Sequence, residues 1–234
     1  MQIKYNKKNN IRIMEQTNPK IHGILFDLDG TLVDSFPSII VAFREAFKFL
    51  EPYAKTKLNF TDDEIKKLIG IPHQETFRKT SDVPKAVEKA TEIFRETRKK
   101  FKVDAIDGSI DLLNFLKTKN FKLGIVTTTG RELTERILTD LNVQNLFGAI
   151  VTGTDVLNLK PHPEPILKAI EILNLSNDRC VMVGDHPNDI IAANAADIRS
   201  IAILYTHTKD EFRKYNPTYI VNSIGEIKNI TEKI

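Results

Sequence analysis

Six short, largely apolar runs recur along the chain, at 21–26, 122–127, 149–151, 181–184, 201–204 and 219–221. Short unbroken apolar runs bounded by turn residues predict strands buried on both faces. Between them, apolar residues repeat every three or four positions. Ile110, Leu112, Leu113 and Leu116 mark one helix, and 131–141, 163–173 and 189–196 mark three more. A last helix follows the final strand. Strands alternating with helices of about ten residues predict a parallel sheet covered by helices on both sides.

One stretch breaks the alternation. From 35 to 105 the pattern is helical, with no strand predicted. A helix over 37–50 puts Ile40, Phe43, Phe47 and Leu50 on one face. Thr61 and Glu64 form a capping box that starts a second helix, which stops near Gly70-Ile71-Pro72. A short helix follows over 74–79, then a long charged one over 84–101. The chain therefore divides into a polar N-terminal tail (1–20), a core domain (21–34 and 106–234) and a helical insertion (35–105). Hinges are expected at the junctions, 33–36 and 102–107. No element is predicted before Ile21, and Met14 is an alternative start.

Composition narrows the function classes. The chain has 234 residues, 41% apolar and 28% charged, with a net charge of +3. Its lysines are scattered, so nothing in the charge pattern points to a nucleic-acid partner. The single cysteine, Cys180, lies in an apolar run and reads as a buried, inert thiol. No leader-like apolar region opens the chain, and no run approaches the ~18 apolar residues of a membrane span. The expectation is a cytoplasmic enzyme, monomer or homodimer, acting on a small molecule and not on membranes.

In open parallel sheets, ligands gather at the carboxyl ends of the strands. Here those ends carry Asp27, Thr127, the Lys160-Pro161 step and Gly184-Asp185. Asp27 and Asp29 are two residues apart, so extended backbone would point both to one side. Such carboxylates repel unless a cation or proton separates them. Oxygen donors favour Mg2+, and Asp185 supplies a third carboxylate. Lys160 is a compact point charge suited to phosphate, and Thr127 a hydroxyl donor. Each residue has a plainer alternative. Asp27 to Gly30 also reads as an aspartate-rich turn, Lys160 as a solvated loop lysine, and Thr127 as a satisfied strand end. Asp189 either supports a metal site or favours a helix N-terminus. His162 and His186 read as surface loop positions and not as ligands.

Taken together, these residues resemble known motifs. Phe26-Asp27-Leu28-Asp29-Gly30-Thr31-Leu32-Val33-Asp34-Ser35 resembles the first motif of the haloacid dehalogenase superfamily. Ile125-Val126-Thr127 resembles the second, Lys160-Pro161-His162-Pro163-Glu164 the third, and Gly184-Asp185-His186-Pro187-Asn188-Asp189 the fourth. All four fall in the family's order. The phosphoglycolate phosphatase-like branch, with its helical cap between motifs one and two, is the most similar.

The resemblance implies an α/β fold, a Rossmann-like parallel-sheet core with an all-helical cap domain inserted. It implies Mg2+ and an aspartyl-phosphate intermediate. Asp27 would be the nucleophile and a metal ligand. Asp29 would be the general acid and base, with its backbone carbonyl on the metal. Asp185 would complete the metal site. Thr127 and Lys160 would hold the phosphate, with the N–H groups of Gly30 and Thr128. The loop from Gly70 to Phe77 resembles the cap loop that reaches toward substrate, which makes His73 a specificity candidate. An exposed helix-start histidine is the alternative there.

The expected activity is hydrolysis of a small phosphorylated metabolite, a phosphoglycolate-like phosphomonoester or pyrophosphate. A phosphomutase similar to β-phosphoglucomutase would use the same motifs. A non-catalytic binding protein on the same scaffold is a third reading. Asp29 argues against a dehalogenase, since dehalogenases lack the second aspartate.

Overall fold

The computed structural model describes residues 20–231 and, before them, the backbone of two strands. These are β1 (Ile3–Asn6) and β2 (Ile11–Met14), paired antiparallel. The sequence predicts no element there, so this strand pair is a difference, and the rest of 1–19 lies outside the described residues. The elements that follow are β3 (Gly23–Phe26), β4 (Val33–Asp34), α1 (Phe36–Leu50), α2 (Asp62–Lys66), α3 (His73–Thr80), α4 (Pro84–Arg98) and β5 (Asp104–Ala105). Then come α5 (Ser109–Thr118), β6 (Lys122–Val126), α6 (Arg131–Asp140), β7 (Phe147–Val151) and α7 (Glu164–Leu173). The chain ends with β8 (Cys180–Gly184), α8 (Pro187–Ala195), β9 (Arg199–Ile203), α9 (Lys209–Arg213), β10 (Tyr219–Val221) and α10 (Ile227–Thr231).

Six strands form one parallel sheet in the order β10-β9-β8-β3-β6-β7. This is the expected α/β fold. The first strand in the sheet, β3, lies inside it and is fully buried. Its successive side chains go to opposite faces. Ile24 and Phe26 pack with Leu112, Leu116 and Leu138, while Leu25 packs with Ala169, Leu173 and Met182. That double burial is why the strands read as continuous apolar runs.

The inserted helices bury their own cluster. Phe43 stacks or edges against Phe47, Phe77 and Phe94, with ring centroids 5.4, 5.7 and 4.8 Å away. Ile39, Leu50, Ile65 and Ala90 complete it. Thr61 and Glu64 cap α2 reciprocally, as the sequence predicts.

Two differences bear on the site. The segments that leave and re-enter the core, β4 and β5, pair as a two-residue antiparallel ribbon, Val33 opposite Ala105. Runs so short carry no strand signal. Helix α4 stops at Arg98 and not at 101. Arg136 of α6 donates to the carbonyls of Lys99 and Phe101, so this turn is bonded to the core instead of continuing the helix. No helix among the described residues is long and apolar enough to cross a membrane.

Phe43 is 1% exposed at the centre of the insertion's aromatic cluster. Phe43→Ala is expected to lower unfolding free energy by about 3–5 kcal/mol in urea denaturation. A loss below about 1 kcal/mol would contradict the close packing described.

Candidate active site

Strand pairing brings the acidic groups together. Phe26 pairs with Val183 across β3 and β8, and the Asp27 N–H still donates to the Val183 carbonyl at 2.9 Å. Asp27, just past the end of β3, and Asp185, just past the end of β8, therefore emerge side by side. Asp189 joins them from the first turn of α8. Carboxylate oxygens of Asp27, Asp185 and Asp189 all lie within 4.8 Å of one another, and all three residues are buried.

Lys160 sits among them at 2% exposure. Its Nζ donates to Asp27 Oδ1 at 2.8 Å, to Asp189 Oδ1 at 2.6 Å and to the Val126 carbonyl at 2.8 Å. All three ammonium donors are used, so the solvated-loop alternative for Lys160 is excluded. Burial acts to lower its pKa, but Asp189 and Asp27 outweigh that and raise it.

Two glycines make this crowding possible. A Cβ on Gly30 would lie 2.6 Å from Asp185 Oδ2, at a φ of +82° that L side chains rarely adopt. A Cβ on Gly184 would fall on the Asp189 carboxylate. Around them, the Thr31 hydroxyl donates to Asp185 Oδ1 at 2.7 Å and the Thr206 hydroxyl to its carbonyl at 3.1 Å.

The carboxyls divide into two kinds. Burial, with Asp189 beside it, pushes Asp185 up to about 7. Burial likewise raises Asp27 well above the usual carboxylate range, Asp189 and Asp185 adding to the rise while Lys160 opposes it. Asp29 goes the other way. Burial alone would raise it, but the Arg98 guanidinium, with the hydroxyl donor beside it at Thr129, outweighs burial and holds it low. Arg98 Nη2 donates to Asp29 Oδ1 at 2.6 Å, and the Thr129 hydroxyl donates to Asp29 Oδ2. The Asp29 side chain thus stands apart from the acidic cluster, whose third carboxylate is Asp189.

The remaining expected residues surround this centre. Thr127 is buried, its amide donating to the Val151 carbonyl at 3.0 Å and its hydroxyl accepting from the Thr129 N–H at 3.1 Å. The Gly30 N–H is committed to the Val33 carbonyl at 2.9 Å, so a phosphate contact there would require that bond to be exchanged. A cleft of about 720 Å3 opens between insertion and core, with Asp27 and Asp29 at its base and His73, Arg95, Thr128 and Thr129 among its walls.

His73 is not the exposed histidine of the alternative reading. It stacks on Phe94 at 4.5 Å, and its Nε2 has no hydrogen-bond partner among the described residues. Burial, then Arg95 and Arg98, pushes it down to about 3, so the ring is neutral at physiological pH. His186, expected on the surface, is buried: it caps α8, accepting from the Asn188 N–H at 3.1 Å. Asn188 in turn donates to the Gly70 carbonyl of the insertion at 3.0 Å. His162 is exposed and accepts from the Glu164 N–H.

The family model of haloacid dehalogenase-like hydrolases matches residues 24–203, which include Asp27, Asp29, Thr127, Lys160, Asp185 and Asp189. The chain belongs to that family. Among curated relatives, it is 34% identical to the pyrophosphatase PpaX of Oceanobacillus iheyensis over 90% of this chain and 96% of that one. It is 30% identical to the phosphoglycolate phosphatase of Colwellia psychrerythraea over 87% and 94%. The solved structure of a haloacid dehalogenase-like family hydrolase from Streptococcus pneumoniae superposes with a TM-score of 0.78 at 26% identity, covering 90% of this chain and 98% of that one.

Sequence reasoning missed Arg98, Thr129, Thr206 and Asn188. Arg98 and Asp29 are 69 residues apart and Thr129 and Asp29 are 100 apart. Only Thr129 carried a signal, its place two residues beyond a strand-end threonine.

The donor set, three buried carboxylates and no sulfur, fits a hard divalent cation. Binding one requires deprotonated ligands. In the metal-free folded protein Asp185 keeps its proton to about pH 7, whereas an unfolded aspartate, with pKa ~3.9, has lost it by about pH 5. The folded state then binds more protons, so this carboxyl's contribution to stability falls as pH rises from about 4 to about 7. A cation replaces that proton. The rise in melting temperature on adding Mg2+ is therefore expected to be larger at pH 8 than at pH 6. Equal shifts at both pH values would contradict the protonated cluster.

Proposed function

We propose that the protein is a Mg2+-dependent phosphatase that hydrolyses a small phosphorylated metabolite through an aspartyl-phosphate on Asp27. One observation carries this reading: Asp27 lies at the base of the cleft, held by Lys160 and flanked by Asp185 and Asp189. The hydrolase names of the relatives favour hydrolysis over the phosphomutase alternative. An intact Asp27–Lys160 ion pair favours an enzyme over a retired scaffold.

Mg2+ would be held by Asp27, Asp185 and the Asp29 backbone carbonyl, with Asp189 supporting. When bound, it supplies charge neutralisation at the phosphoryl oxygens. An Asp27 oxygen attacks phosphorus, and the bond from phosphorus to the leaving oxygen breaks. Arg98 holds Asp29 ionised, so Asp29 first takes a proton from solvent and then gives it to that oxygen. Asp29 then takes a proton from water, whose oxygen attacks the same phosphorus. The bond to Asp27 breaks, and inorganic phosphate leaves. Lys160, on exchanging a carboxylate partner for a phosphoryl oxygen, and Thr127 hold the transferred group, with the backbone N–H groups of Thr128 and, once released from Val33, Gly30. Most of the acceleration in such transfers comes from positioning and electrostatics.

The helical insertion would act as a cap. Its own aromatic core lets it move as a unit, and closure over the cleft would exclude bulk water. The substrate class is a phosphoglycolate-like phosphomonoester or pyrophosphate. His73, neutral and lining the cleft, would contact the part of the substrate that is not transferred.

Two experiments test this reading. Wild-type protein should hydrolyse members of a panel of phosphorylated metabolites with Mg2+, lose activity with EDTA, and lose it on Asp27→Asn with the fold intact. Steady turnover by purified Asp27→Asn would sink the mechanism. His73→Ala should reorder kcat/KM across the panel by ~1–3 kcal/mol of discrimination while sparing p-nitrophenyl phosphate. A uniform loss, or none, would remove His73 from the specificity assignment.

A further inference from the structure

The insertion reaches the base of the cleft through a buried cation. Arg98 closes α4 and is 5% exposed. Its Nη2 donates to Asp29 Oδ1 at 2.6 Å, and its Nη1 to the Thr129 hydroxyl at 3.0 Å and to Asp29 Oδ2 at 3.4 Å. The Thr129 hydroxyl donates onward to Asp29 Oδ2. Both carboxylate oxygens are thus held by groups from two separate segments, the end of the insertion and the loop after β6.

A buried ion pair alone is weak evidence of a stabilising role, because desolvation cancels much of the attraction. Its location is more informative. The turn that follows Arg98 is tied to the core: Lys99 pairs with Glu132 of α6 at 2.8 Å, and Arg136 of α6 takes the carbonyls of Lys99 and Phe101. The guanidinium therefore occupies this place only when the end of α4 is seated on α6. Its planar fork fixes the direction of a carboxylate in a way a point charge does not.

We propose that Arg98 is a positioning residue: seating of the insertion places Arg98, and Arg98 with Thr129 aims the Asp29 carboxylate into the cleft. This rests on the proposed role of Asp29 in proton transfer. It ties that transfer to the seated state, so that the proton-moving carboxylate is held in place only when the end of α4 rests on α6.

The test uses full-length Arg98→Met and Arg98→Lys. Against the best alkyl phosphate of the panel, Arg98→Met should lower kcat by about 10²-fold, the lower end of a lost acid–base contribution, with KM within about 3-fold of wild type. Arg98→Lys, which keeps the charge but not the fork and is the gentler change if Arg98→Met folds poorly, should lose about 10-fold. Guanidinium ion added to Arg98→Met should restore part of kcat. A rise in KM with kcat unchanged would make Arg98 a substrate contact and overturn the proposal, as would unchanged kinetics in both variants. A crystal structure of either variant gives a readout independent of activity. The Asp29 carboxylate should turn away from Thr129, and an unchanged side-chain rotamer would overturn the positioning role. Absence of phosphatase activity in the wild type would instead count against the proposed function.

Discussion

Charge balance around Lys160 governs the centre of this molecule. Three buried carboxylates, Asp27, Asp185 and Asp189, face one buried ammonium, which leaves two negative charges unbalanced when all are ionised. Isolated charge is expensive away from water. Burial and mutual repulsion push Asp27 and Asp185 toward holding a proton, and a divalent cation would meet the deficit without one. The stored electrostatic demand is what gives the cluster its capacity for a hard cation.

That demand can exist only because the sheet is rigid beneath it. Parallel strands β3 and β8 deliver Asp27 and Asp185 side by side, and β6 places the Val126 carbonyl where it accepts from Lys160. Glycines at 30 and 184 let carboxylates approach where any side chain would collide. Asp29 belongs to a separate electrostatic neighbourhood, dominated by Arg98. Two aspartates two residues apart in sequence thereby acquire opposite protonation tendencies, Asp27 raised by burial among carboxylates and Asp29 lowered by Arg98.

The parts legible in the sequence are those encoded locally or by periodicity. Buried strands read as apolar runs, so the order of residues alone places Asp27, Thr127, Lys160 and Asp185 at one sheet edge. The capping box at Thr61 and Glu64 is equally local. Arg98 is not legible. It lies in a highly charged helix, and nothing in α4 distinguishes it from Arg95, which is exposed, because its partner comes from across the fold. His186 reads wrongly as a surface position for the same reason: Gly70, which covers it, arrives from the insertion. The ribbon of β4 and β5, two residues each, is too short for any alternation to register.

That ribbon has an architectural consequence. Because Val33 lies opposite Ala105, the insertion leaves and rejoins the core at neighbouring points, about 4.5–5.5 Å apart as paired strands are. The core sheet does not need the intervening helices to bridge a gap. A tight turn joining the two strands would span it as well, and so would a larger or differently folded module. The sheet that carries the acidic cluster and the helices that wall the cleft above it are therefore separable parts, free to be exchanged and to diverge at different rates.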